Sequence, residues 1–152
     1  MSCAEKQFHL NYCLKLFFIV SLIKPTIVKP PTPAGLLEFR DIIANIVASG
    51  GGDCPELALT GMLNALNYFP HPESSMFVFT DASPKDATPA NVNQVISFAQ
   101  SFNIKISFFV SLRPCGGSIP DYSQFNHIAA ETNGKIKVYY TQIPYKKTSE
   151  IL

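Results

Sequence analysis

The chemistry-bearing residues of this chain are concentrated in one short stretch, GGGDCPE at residues 50–56. Three glycines precede Asp53, Cys54 and Glu56, and an apolar segment with helical spacing follows. A glycine-rich turn that opens a helix can bind phosphate, because free backbone N–H groups point outward there. This stretch lacks the lysine of a phosphate-binding loop, and the Asp53 carboxylate would repel an anion, so we expect no phosphate site.

Cys54 has one feature of a nucleophile, since the N-terminus of a helix lowers the pKa of a thiol. Nucleophilic catalysis also needs a base, and His127 is the one candidate in a patterned segment. Its place in a helical pattern favours a packed or surface histidine. We therefore expect no catalytic residue. The alternative is a small intracellular α/β enzyme, hydrolase-like, that uses Cys54 or Asp81.

The chain has four cysteines, Cys3, Cys13, Cys54 and Cys115, and none forms a Cys-x-x-Cys pair with another. This excludes the usual spacings of zinc sites and thioredoxin-like redox sites. The count leaves two states open, which are reduced thiols and one long-range disulfide. The sequence does not determine the state of Cys3 and Cys13.

The same stretch also fits a structural role at the start of a helix. Asp53 suits the N-cap, Pro55 the first turn and Glu56 the third helical position, which together form an Asp-x-x-Glu capping box.

A further carboxylate, Asp81, follows the apolar run SMFVFT at residues 75–80. We expect Thr80 and Asp86 to make hydrogen bonds within loops rather than to bind a ligand.

The elements that position these residues alternate between strands and helices. Strand patterns occur at residues 17–23, 75–80, 104–112 and 135–142, and residues 24–35 read as an extended, proline-rich connection. Helix patterns run over residues 36–47, 53–66, 88–102 and 121–134. This order predicts an α/β fold with a mostly parallel sheet, in which ligands bind at the carboxyl ends of the strands. Asp81, the segment around Cys115 and the glycine turn are expected at that edge.

The overall composition is that of one folded domain. The chain has 152 residues, is 47% hydrophobic and carries a net charge of +1, so we expect a real core and no nucleic-acid partner. The apolar run at residues 14–23 contains Lys15 and falls short of the about 20 residues of a membrane span. It fits a buried strand better than a signal peptide, because no small-x-small cleavage site follows.

Four segments together carry a resemblance to a known family: FRDIIANIVASGGGDCPELALTGMLNAL at 39–66, MFVFTDASPKD at 76–86, FFVSLRPCGG at 108–117 and HIAAETNGKIKVYY at 127–140. They resemble the von Willebrand factor type A domain, in its hemicentin-like subtype. The resemblance implies a doubly wound, Rossmann-like sheet with helices on both faces. It also implies a non-enzymatic, secreted domain that binds protein ligands of the extracellular matrix or cell surface in adhesion.

The family carries a metal-ion-dependent adhesion site, built from three loops at the carboxyl edge of the sheet. The Asp-x-Ser/Thr-x-Ser motif of the first loop is absent here, and residues 51–53 offer no threonine for the second. Asp81 matches the aspartate of the third loop as a vestigial ligand, and Asp53 is a weaker candidate. Because magnesium prefers near-octahedral oxygen coordination, we expect no cofactor and at most weak magnesium binding.

The resemblance also makes predictions about a disulfide and about whether the domain is complete. GGGDC followed by a cysteine after a later strand is similar to the hemicentin pattern, which implies a structural Cys54–Cys115 disulfide. The family's first, central strand is missing from the match, so we expect an incomplete domain from a longer protein. The alternative places the run at residues 14–20 in the central position. The expected organisation is a poorly matched segment with one buried strand at 1–35, the von Willebrand A-like domain at 36–143, and a tail at 144–152.

Overall fold

The structure is a computed structural model, and it describes residues 14–16, 27–29, 32–45, 55–68, 71–112 and 119–139. The chain divides into two compact units. The first contains strands β1 (Leu14–Leu16) and β2 (Ile27–Lys29) and helix α1 (Pro33–Ala44). The second contains, in chain order, α2 (Ala58–Leu66), β3 (Ser75–Thr80), α3 (Pro89–Ser101), β4 (Lys105–Ser111), α4 (Ser123–Glu131) and β5 (Ile136–Tyr139).

In the first unit, β1 and β2 pair antiparallel, with Leu14 opposite Lys29. The sequence pattern does not predict β2, because the proline-rich residues 24–35 are typical of an extended connection. Thr32 caps α1, since its Oγ1 accepts a hydrogen bond from the backbone N–H of Gly35 at 3.1 Å, and Pro33 opens the helix. The predicted buried strand at residues 17–23 lies outside the described residues.

In the second unit, β3, β4 and β5 form a parallel sheet in that order. Parallel neighbours need crossover connections, which α3 and α4 supply. The α/β class and the parallel sheet predicted from the sequence are confirmed.

The core of the second unit lies between this sheet and its helices. Alternate sheet residues Val78, Ile106, Phe108 and Val110 are buried against apolar side chains of α2, α3 and α4. Phe108 stacks on Phe125 of α4 with ring centroids 4.6 Å apart. The described helices of this unit therefore pack on one face of its sheet.

Local signals define the start of α3. Thr88 Oγ1 accepts a hydrogen bond from the backbone N–H of Asn91 at 3.2 Å, and Pro89 occupies the first helical position. A proline tolerates this position because its missing N–H would have no partner there. The predicted start of this helix is confirmed. Among the described residues, no helix is long and apolar enough to cross a membrane.

Candidate functional site

Asp81 occupies the carboxyl end of β3, directly after the last strand residue, and is exposed. The turn at this point is fixed by the Thr80 hydroxyl, which accepts from the backbone N–H of Ala82 and donates to its carbonyl, both at 3.2 Å. Ala82 is buried, so the turn is anchored to the protein interior. Among the described residues, the Asp81 carboxylate accepts no hydrogen bond, which leaves it available to a ligand.

Glu56 contacts the loop after β3 through its backbone. Its N–H donates to the Ser83 carbonyl at 2.9 Å, and its carbonyl accepts from the N–H of Lys85 at 2.8 Å, which makes a parallel bridge between Glu56 and Pro84. The predicted capping box is therefore wrong for Glu56. An extended residue that bridges to another loop cannot occupy the third position of a helix, and α2 begins two residues later, at Ala58. Asp53 lies outside the described residues.

Asp86 caps α2, whose N-cap residue Leu57 makes no capping hydrogen bond through its side chain. Its carboxylate accepts hydrogen bonds from the N–H of Leu59 at 3.1 Å, and from the N–H and hydroxyl of Thr60, both at 2.6 Å. These N–H groups belong to the first turn, where intrahelical partners are missing and a negative charge is favoured. Within its own loop, Asp86 accepts a hydrogen bond through its backbone carbonyl, from the N–H of Thr88 at 2.8 Å. Its carboxylate is committed to α2.

A second contact joins the loop after β3 to the segment that leads into α4. The backbone N–H of Asp121 donates to the Ser83 hydroxyl at 2.8 Å. The Asp121 carboxylate accepts from the N–H of Ser123 at 2.9 Å, and this hydrogen bond holds the pKa of Asp121 below its usual value. The helix pattern in the sequence begins at Asp121. In the structure the N-cap is Tyr122, although Asp121 still serves the helix start.

Tyr122 connects α4 to the end of β4. Its hydroxyl donates to the Ser111 carbonyl at 2.6 Å, and its ring stacks on Phe125 with centroids 5.8 Å apart. Burial raises the pKa of Tyr122 to about 12, and the negative charge of nearby Asp81 contributes to the rise. Tyr122 is therefore a neutral hydrogen-bond donor at physiological pH.

The described residues form a connected polar edge rather than a metal centre. We define the carboxyl-edge loops as residues 55–57, 81–88 and 119–122; they are held to one another by the Glu56 and Ser83 contacts. No group of three His, Cys, Asp or Glu side chains able to hold a metal ion occurs within the part of the chain that the structure describes. Asp81 alone does not supply the several oxygen ligands that magnesium needs.

The sequence did not predict the contacts that Ser83 and Tyr122 make at this edge. Ser83 and Tyr122 each join two segments that are more than ten residues apart in the chain. No local spacing signals such a partner. All four cysteines, including the proposed pair Cys54 and Cys115, lie outside the described residues, so the disulfide stays a prediction.

Comparison with known proteins agrees with this architecture. The family model described as "von Willebrand factor A domain" matches residues 5–141. Human von Willebrand factor A domain-containing protein 7 is 48% identical over 74 residues, which cover 49% of this chain and 8% of that protein. The rat protein of the same name is 43% identical over 77 residues, covering 51% and 8%. Mouse hemicentin-2 is 28% identical over 144 residues, covering 93% of this chain and 2% of hemicentin-2.

The chain thus spans less than a tenth of the length of these relatives. The family match nevertheless covers most of the chain, and the parallel sheet with crossover helices is the architecture that the family model implies. The chain belongs to the von Willebrand factor A domain family.

Proposed function

We propose that this chain is a non-enzymatic protein-interaction domain of the hemicentin-like type, which binds its ligand through the carboxyl-edge loops. Domains of this family generally bind proteins rather than catalyse reactions. The proposed setting is extracellular, in adhesion or matrix assembly, and the similarity to hemicentin-2 supports it. An intracellular enzyme that uses Cys54 or Asp81 is not favoured, because none of the described contacts gives Asp81 a catalytic partner.

The main support for this proposal is the set of hydrogen bonds that holds the carboxyl-edge loops together. Hydrogen bonds donated by the backbone N–H groups of Glu56, Lys85 and Asp121 hold three separate loops together as one surface, and Asp81 is exposed on it. Loops that are held rigid lose little entropy when a partner binds. Such a surface suits recognition of a folded protein.

We also propose that the adhesion site is degenerate. The first-loop motif is absent from the sequence, and the described edge supplies Asp81 without further metal-binding carboxylates, since Asp86 and Asp121 both serve helix starts. A missing first strand and its motif would account for this. Recognition would then depend on direct contacts with the loops rather than on a bridging cation.

The proposal is tested by binding of the purified chain to a panel of extracellular-matrix proteins and to cultured cells, in magnesium and in EDTA. We expect binding that EDTA leaves unchanged, and that Asp81→Arg weakens at least about tenfold by placing a bulky cation on the edge. The matched control is Gln94→Arg on the exposed side of α3. Binding that disappears in EDTA would contradict the degenerate site. Binding that both variants retain would contradict the edge as the binding surface.

A further inference from the structure

The turn between α4 and β5, residues 132–135, contains the one Asn-Gly pair of the chain, Asn133–Gly134. Asparagine before glycine is especially prone to deamidation, because glycine has no side chain to hinder attack of its backbone nitrogen on the asparagine side chain. Asn133 is exposed and adopts a left-handed conformation with φ of 55°. Water can therefore reach the Asn133 side chain, and its reactivity depends on the position of the Gly134 nitrogen.

Deamidation at this pair consumes one water molecule and needs no other reactant. The backbone nitrogen of Gly134 loses its proton to solvent and forms a bond to Cγ of Asn133, while the side-chain nitrogen gains a proton and leaves as ammonia. Water then opens the resulting cyclic imide at either of its carbonyl groups, which gives aspartate or isoaspartate. In isoaspartate the main chain runs through the former side chain, so that the backbone becomes one atom longer.

The folded turn keeps the Gly134 nitrogen from this reaction. Its N–H donates to the Ala129 carbonyl at 2.8 Å, and this hydrogen bond must break before the nitrogen can lose its proton and approach the Asn133 side chain. The backbone of Gly134 also passes so close to β4 that a Cβ built there would collide with the carbonyl oxygen of Ile106. The Gly134 peptide group therefore has no room to rotate while the turn is packed against β4.

Hydrogen bonds on both sides of the pair hold the turn against β4, the central strand of the described sheet. Before the pair, the buried hydroxyl of Thr132 accepts from the backbone N–H of Ile106 at 3.3 Å. After it, the N–H of Lys135 donates to the Ser107 hydroxyl at 3.2 Å, and its carbonyl accepts from the N–H of Phe108 at 2.8 Å. The turn opens only when these contacts are released, which is rarer than the fraying of an unattached loop.

We propose that Asn133–Gly134 is a deamidation site that folding protects. The folded turn suppresses the reaction, whereas a chain that has opened there is converted and cannot restore the turn. The isoaspartate product has an additional main-chain atom where Gly134 already lies against Ile106, so β5 cannot regain its register with β4. The aspartate product keeps the backbone but places a negative charge after the C-terminal end of α4, where the helix dipole disfavours it. The modification therefore marks chains that have unfolded at this turn.

The test follows the purified chain at mildly alkaline pH, in buffer and in guanidinium chloride, with peptide mapping by mass spectrometry. We expect deamidation of Asn133 to be at least about tenfold slower in buffer, which corresponds to about 1.4 kcal/mol for opening of the turn. Asn103 is the internal control, because it has a similar φ of 52° but precedes Ile104, whose branched side chain hinders the attack. Asn103 should stay intact in both solutions. Equal rates at Asn133 in the two solutions, or no reaction there in guanidinium chloride, would overturn the proposal.

A second measurement tests whether the converted chain can restore the turn. The isoaspartate form, separated by chromatography after incubation in guanidinium chloride, is returned to buffer and compared in urea unfolding with chain that was denatured only briefly. We expect its ratio of folded to unfolded protein to be at least about tenfold lower. Asn133→Gly, incubated in the same way, is the matched control, because it cannot deamidate at this position and suits the positive φ. An isoaspartate form as stable as the briefly denatured parent would overturn the proposal.

Discussion

Asp81 and Asp86 show how two nearby aspartates of one loop acquire different roles. Asp81 is exposed and accepts no hydrogen bond among the described residues, whereas Asp86 accepts three from the first turn of α2. A carboxylate at a helix N-terminus gains from both the unpaired N–H groups and the helix dipole. Asp86 therefore contributes to stability, and Asp81 remains available for binding.

Replacement of Asp86 by alanine is expected to lower the free energy of unfolding by about 1–2 kcal/mol, because Leu59 and Thr60 lose their acceptor. Asp86→Asn should cost less, since the amide oxygen still accepts one hydrogen bond. Asp81→Ala is the matched control, with an expected change within about 0.5 kcal/mol. Urea unfolding measures all three. Equal losses for Asp86→Ala and Asp81→Ala would contradict the assignment of the cap.

At the scale of elements, the turn between α4 and β5 sets the position of the last strand. Asn133 adopts a left-handed conformation with φ of 55°, and the Gly134 N–H donates to the Ala129 carbonyl at 2.8 Å. The backbone of Gly134 then passes close to β4, so that a Cβ built there would lie 1.7 Å from the carbonyl oxygen of Ile106. Glycine is required here by this close approach.

Gly134→Ala is expected to lower the free energy of unfolding by about 2–3 kcal/mol, because β4 or the turn must shift to relieve the clash. The neighbouring change Asn133→Gly serves as the control. It suits a positive φ and should alter stability by less than about 1 kcal/mol. Thermal and urea unfolding measure both variants. A Gly134→Ala protein as stable as the parent would show that β4 and this turn do not approach so closely.

At the scale of the whole molecule, the chain combines a family match over residues 5–141 with less than a tenth of the length of its relatives. The activity and partners of those longer proteins are therefore only proposals for this chain. Among its own described residues, the carboxyl-edge loops, which hydrogen bonds hold together, support the proposed interaction role. The proposed disulfide would add a covalent link between the segments around Cys54 and Cys115.

We expect peptide mapping of protein prepared under oxidising conditions to identify a Cys54–Cys115 disulfide. Such a bond closes a loop of about 60 residues and is worth on the order of 4 kcal/mol in the chain-entropy model. Cys54→Ser and Cys115→Ser should therefore lower stability to the same extent. Two free thiols, with a depressed pKa at Cys54, would contradict the disulfide and favour the alternative of a cysteine-dependent enzyme.

The sequence by itself determined the features that depend on neighbouring residues. It predicted β3, β4 and β5 within a few residues, the start of α3 at Thr88 and Pro89, and the parallel α/β class, because apolar periodicity and caps are local signals. The motifs GGGDCPE and FTDASPKD also led to the von Willebrand factor A domain family, which the family match confirms.

The tertiary structure alone decided which distant residues meet. The capping box predicted at Glu56 is wrong because the backbone of Glu56 bridges to Pro84. The start of α2 is capped instead by Asp86, which lies 27 and 26 residues after the Leu59 and Thr60 N–H groups that it accepts from. The apolar run of β3 likewise did not reveal which side of the strand is buried, since aromatic and aliphatic residues alternate along it. Only the packing of α2, α3 and α4 buried Val78 and left Phe77 and Phe79 on the outer face. Contacts between segments far apart in the chain depend on how the elements pack, and no local pattern of side chains specifies them.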